Sequence, residues 1–196
     1  MPKSHKSLTK QRAQQKNQIF LVVLLSVILI PIYLNQSLKA EDDKPFISRI
    51  EGKTTATISI KESPIKVWET LTNYKEIGKK MPDIKEVKLL KNSSNYKIIE
   101  HTYKAPYTFG QNVKAIIEVQ EEPNIIISYK LIKSNRIKTL EGFWIINPTQ
   151  NGTLLTHSIN LDPNLPRLLK PYFLNLFESN LEKSMNILKE IILESQ

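Results

Sequence analysis

The sequence predicts an α+β domain: a curved, seven-stranded antiparallel sheet around one long C-terminal helix, with two short helices after the first strand. Three observations predict it. Six strand-like runs follow one another between Ile84 and Leu161, separated only by short turn-like segments, which is the pattern of antiparallel hairpins. Residues 171–194 carry Phe173, Phe177, Leu181, Met185, Leu188 and Ile192 at steps of three and four, one apolar stripe of a helix. A helix of that length is marginal by itself and needs a partner for its stripe, and the strands supply an apolar sheet face.

The elements follow in chain order. Residues 51–60 place threonine and isoleucine at near-alternating positions and read as a strand. Ser63 then offers a helix cap and Pro64 suits the first helical position, so a short helix runs to Leu71 and buries Val67, Trp68 and Leu71. Residues 74–80 form a second, ended by Met81-Pro82-Asp83. The later strands are predicted at 84–91, 95–103, 107–120, 125–133, 136–147 and 153–161, with Asn92-Ser93-Ser94, Glu122-Pro123-Asn124 and Ser134-Asn135 among the turns.

Alternation assigns the inward face. It takes Ile99, His101 and Tyr103; then Val113, Ala115, Ile117 and Val119; then Ile125, Ile127, Tyr129 and Leu131; and finally Leu155, His157, Ile159 and Leu161. In the strand from Arg136, Leu140, Trp144 and Ile146 are assigned inward because the opposite set contains Glu141, and Gly142 permits a bulge or a close approach of another backbone. Pro171 marks the start of the final helix.

The totals exclude several classes. There are no cysteines, which removes disulfides and thiolate chemistry, and the five glycines form no phosphate-binding loop. The net charge of +9 raises nucleic acid as a partner, but residues 1–40 hold Lys3, Lys6, Lys10, Arg12, Lys16 and Lys39 and no acid, so +6 lies there and only +3 in the rest. With its aromatics on the inner face as well, no nucleic-acid role is expected.

The N-terminal charge has a local explanation. A basic arm, 1–18, precedes an uncharged apolar run, 19–34, inside a segment that extends to Ala40. The run is short for a spanning helix and long for a signal-peptide core, so a signal anchor and a signal cleaved after Ala40 both remain open. Either places the following domain on the non-cytoplasmic side, anchored to the membrane or exported. Residues 41–48 read as a linker into a domain spanning 49–196.

Several stretches, taken in order, resemble a known family. They are Ser63-Pro64-Ile65-Lys66-Val67-Trp68, Asn73-Tyr74 through Met81-Pro82-Asp83-Ile84 and Val87, then Leu140-Glu141-Gly142-Phe143-Trp144 with Pro148, and Leu165-Pro166 before the last helix. From about Glu51 to Leu193 the chain resembles the START-like (SRPBCC) helix-grip superfamily, most of all its polyketide cyclase/dehydrase-type and coenzyme Q-binding START-domain proteins. The resemblance implies a pocket for a hydrophobic ligand, with polyketide, quinone and lipid all represented. No catalytic motif is common to the family, so no catalytic residue carries over.

A sheet gripping a long helix often leaves an apolar cavity between them, and the expected lining of the pocket that the resemblance implies is His101, Tyr103, Ile117, Tyr129, Leu140, Trp144, His157, Phe173, Phe177, Leu181 and Met185. An inward histidine can serve as acid or base, and the tyrosines can offer hydroxyls to a ligand carbonyl, although residues of both types on an inner face more often belong to core packing. Glu141 is expected to face solvent. No cofactor or metal is expected. The leading expectation is binding or transfer of a hydrophobic ligand beside a membrane contacted through residues 19–34. A polyketide cyclase or aromatase is one alternative, with proton transfer by His101, His157 or Tyr103. An assembly factor packed on a membrane protein is the other.

Overall fold

Two hairpin edges and one crossover set the architecture. The computed structural model describes residues 44–104 and 112–195. The basic arm, the apolar segment and most of the predicted linker therefore lie outside the described residues, as does the predicted start of the third sheet run at Tyr107. The order is β1 (Phe46–Ile50), β2 (Lys53–Ile60), α1 (Pro64–Thr72), α2 (Tyr74–Lys80), β3 (Ile84–Asn92), β4 (Tyr96–Tyr103), β5 (Val113–Glu122), β6 (Ile126–Ser134), β7 (Ile137–Thr149), β8 (Gly152–Pro163) and α3 (Lys170–Glu194). The strands form one antiparallel sheet in the order β1-β2-β8-β7-β6-β5-β4-β3. After β2 the chain crosses through α1 and α2 to the far edge, then returns by successive hairpins until β8 pairs with β2.

The described sheet has eight strands rather than seven. The additional strand, β1, includes residues read from the sequence as linker. Its five residues are too few to display a clear alternation, but Ile47 packs on the core and the whole strand pairs with β2. Glu51 and Gly52, read as the start of the first strand, instead form the two-residue turn, both at positive φ (50° and 80°). Such turns suit the right-handed twist of a hairpin, and glycine occupies the second position without strain. Ile125 departs from its inward assignment: it sits beside the β5–β6 turn and is exposed. Irregular register within the β3–β4, β5–β6 and β7–β8 pairs bends the sheet locally.

The helices start where local chemistry allows. Ser63 accepts a hydrogen bond from the Lys66 amide and Pro64 occupies the first turn, where its missing N–H costs nothing. In α2, Gly78 lets the helix lie against β3, since a Cβ there would fall 2.2 Å from a Val87 methyl. Along α3, Leu181, Met185, Leu188 and Ile192 are buried. Each such side chain contributes roughly 1.5–3 kcal/mol of hydrophobic stabilisation. Arg49 of β1 pairs with Glu178 of α3 at 3.2 Å, and Lys170 at the helix start bonds Asp162 of β8 at 2.6 Å. Among the described residues no helix is long and apolar enough to cross a membrane.

Candidate functional site

The concave sheet face, α2 and the middle of α3 enclose a cavity of about 220 Å³. Its floor comes from the alternate residues that pleating turns inward, including Ile99 and His101 of β4, Ile117 of β5, Tyr129 of β6, Leu140 and Trp144 of β7, and His157 of β8. From α3, Phe177, Asn180, Leu181, Ser184 and Leu188 form the opposite wall; Leu71, Tyr74, Ile77 and Met81 close one end.

Nine of the eleven residues expected to line a cavity do so: His101, Tyr103, Ile117, Tyr129, Leu140, Trp144, His157, Phe177 and Leu181. Phe173 and Met185 do not. Phe173 shares the phase of Phe177 but lies about 6 Å further along the helix axis, at 1.5 Å per residue, beyond the cavity's end. Met185 is turned away from the wall that Ser184 and Leu188 form and is wholly buried in the core. Glu141 faces the other side of the sheet, where it accepts a hydrogen bond from Asn160 at 3.0 Å.

The polar groups of the cavity come in pairs. Tyr129 and His157 meet at 2.9 Å, hydroxyl to Nε2. The register explains how: Tyr129 is opposite Gly142, and Trp144 is opposite His157. The Tyr129 ring passes over Gly142, whose absent Cβ would sit 2.5 Å from the phenol oxygen and 2.3 Å from the Ser158 carbonyl oxygen. Both uses anticipated for Gly142 thus reduce to one, close approach. Trp144 stacks on the His157 ring with centroids 3.6 Å apart and planes within 10°. The Nδ1 of His157 is buried and has no partner. On β4, His101 Nδ1 and the Tyr103 hydroxyl meet at 3.0 Å.

Burial governs the protonation of these groups. It pushes the His101 imidazole down to about 4 and the His157 imidazole down to about 3, so both are neutral at neutral pH. Burial also pushes the Tyr103 and Tyr129 phenols up, Tyr103 further through the nearby Asp83 charge and Tyr129 further through Tyr103. Asp83 is itself raised by burial, against the opposing pull of its own backbone amide and Lys104. Among the described residues neither lysine nor arginine lines the cavity.

Sequence reasoning expected the short helices to seal one end of the grip, but it named no cavity residue in α2 or at its junction with β3. Asp83 borders the cavity, and Tyr74 donates to Glu121 at 2.5 Å while Lys97 pairs with the same buried carboxylate at 2.6 Å, tying α2 to β4 and β5. It also missed Asn180 and Ser184, although their spacing from Phe177 and Leu181 is helical and marks the same face. Among the described residues no cluster of histidine, aspartate and glutamate is placed to hold a metal ion.

Residues 51–192 match the family model for polyketide cyclase/dehydrase and lipid transport proteins. No curated protein matches the chain. Solved structures share its fold. The STAR-related lipid transfer protein of Xanthomonas axonopodis superposes with a TM-score of 0.63 at 16% identity, over 81% of this chain and 97% of that one. The Zhui aromatase/cyclase of Streptomyces sp. R1128 gives 0.61 at 14% identity, over 70% and 92%. A START superfamily protein of Mycobacterium smegmatis gives 0.56 at 16% identity, over 68% and 94%.

Proposed function

The chain belongs to the polyketide cyclase/dehydrase and lipid transport family, and we propose that it binds or transfers a hydrophobic small molecule held between its sheet and α3. The observation that carries this reading is the cavity itself: lined by aliphatic and aromatic side chains, with a few convergent polar groups and, among the described residues, no lysine or arginine. An engineered cavity of about 150 Å³ accepts benzene. A cavity of about 220 Å³ therefore takes a fused ring system or a short chain, and a lipid or isoprenoid tail would extend past it. In the same reading, the apolar segment 19–34 keeps the domain beside a membrane that supplies the ligand.

The chemistry of the paired groups supports binding over catalysis. General acids and bases work best with pKa values near the operating pH. The two imidazoles lie far below it and the two phenols are displaced upward, away from it. They are suited to hydrogen bonding rather than to moving protons. The cyclase alternative retains one supporting observation, the convergence of both histidines on one cavity. The assembly alternative finds little support on the two short helices, where Ile65 is the one exposed large apolar side chain of α1 and α2.

The test is a titration of the full chain with neutral apolar molecules of graded size, followed by the fluorescence of Trp144. Saturable binding at one site is expected, with Ser184→Phe, which fills the cavity from the helix side, weakening it at least tenfold while thermal unfolding stays cooperative. Absence of saturable binding, or binding unaffected by Ser184→Phe in a folded variant, would contradict the proposal.

A further inference from the structure

We propose that this cavity selects an uncharged ligand whose polar part is a hydrogen-bond-acceptor oxygen, of the ketone, quinone or ester carbonyl type, received by the Nε2–H of His101. The inference deepens the binding reading above and rests on it.

The argument starts from the direction of one hydrogen bond. A neutral imidazole carries a single proton, and the nitrogen without it can only accept. A phenol hydroxyl is a far stronger acid than an imidazole N–H (reference values near 10 for the phenol, with the imidazole N–H ionising well above that). Between Tyr103 and His101 the hydroxyl is therefore the donor and Nδ1 the acceptor across their 3.0 Å contact. That fixes the imidazole proton on Nε2, the nitrogen the tyrosine does not use. His101 lines the cavity, and its Nε2 has no partner among the described residues.

The same device occurs a second time. Tyr129 donates to Nε2 of His157, so the proton of that ring sits on Nδ1, which is buried and unpartnered beneath the Trp144 stack. Of the two tyrosine-to-histidine pairs only the first offers its N–H to the cavity, since His157 Nδ1 is buried, and it does so in a mainly apolar wall. That N–H is better matched to an acceptor oxygen than to a hydroxyl that must itself donate.

Charge removes the carboxylates and phosphates from consideration. An anion in this cavity would meet no lysine or arginine among the described residues of its wall, and it would meet the Asp83 carboxyl. Both imidazoles stay neutral at neutral pH, so they give an anion no countercharge.

Three ligands of one ring skeleton test this with the full chain: 2-acetylnaphthalene, its hydrocarbon isostere 2-isopropenylnaphthalene, and 2-naphthoate. The ketone is expected to bind about tenfold more tightly than the hydrocarbon, as one neutral hydrogen bond allows. The carboxylate is expected to bind weakest at pH 7. The infrared carbonyl stretch of the bound ketone should fall relative to that in hydrocarbon solvent. His101→Phe should restore the stretch and remove the preference for the ketone over the hydrocarbon measured in the same variant. His101→Gln, which keeps an N–H donor, should recover part of the shift and guards against misreading a folding defect. Equal affinities for ketone and hydrocarbon, tightest binding of the carboxylate, or a carbonyl stretch unmoved by His101→Phe would overturn the inference while leaving the apolar binding site intact. Failure of all three ligands to bind would overturn both.

Discussion

Gly142 shows how a single residue positions a cavity group. It allows the Tyr129 phenol to cross β7 and reach His157, with the phenol oxygen 2.5 Å from where a Cβ would stand. Gly142→Ala is expected to cost about 1–3 kcal/mol, the range for overpacking a close-fitted interior. It should also lose the Tyr129–His157 bond; urea unfolding measures the first, and the histidine ring ¹⁵N chemical shifts report the second. The two histidines carry a pH prediction of definite sign. Unfolded, they take a proton near 6.5; folded, only at about 4 and about 3. Their effect on stability is nil above 6.5, and stability falls as the pH drops from there toward the folded values, by about 1.4 kcal/mol per pH unit for each histidine. Unfolding free energies at pH 7 and pH 5 should therefore differ more for this chain than for the His101→Gln, His157→Gln double variant; equal differences would count against buried neutral imidazoles.

At the scale of elements, α3 divides its stripe between two tasks. Leu188 is nearly inaccessible to solvent and belongs to the core as well as to the cavity wall, whereas Phe177 is half-buried and faces the cavity. Leu188→Ala is expected to destabilise the protein by about 2–5 kcal/mol. Phe177→Ala should weaken an apolar ligand with a smaller loss of stability; a chemical denaturation series beside a binding titration separates the two effects. The stripe was legible in the sequence because a helix repeats every 3.6 residues, and the inward sets of Leu140, Trp144 and Ile146 were legible because one face of each strand is apolar. Periodicity gives direction around an element but not position along it. Phe173 and Phe177 look equivalent in sequence, and only the placement of the cavity along α3 distinguishes them. β1 was missed because five residues give little alternation to read, although the Glu51-Gly52 turn was there to find.

For the whole molecule, topology determines which groups share the cavity. The crossover through α1 and α2 carries the chain from β2 to the far edge strand β3, so Tyr74 and Asp83, distant in sequence from His157, border the same space. No local pattern encodes that meeting, which is why the sheet's cavity residues could be named in advance, whereas the short helices could be expected to seal an end but not which of their residues would line it. The central claim is that this space holds a neutral apolar molecule. Native mass spectrometry of the full chain, purified gently from a membrane-containing host and followed by organic extraction, tests it most directly. The account predicts a one-to-one adduct whose extract yields a neutral, carbonyl-bearing apolar compound. A protein that is reproducibly bare and also refuses added apolar ligands would contradict it.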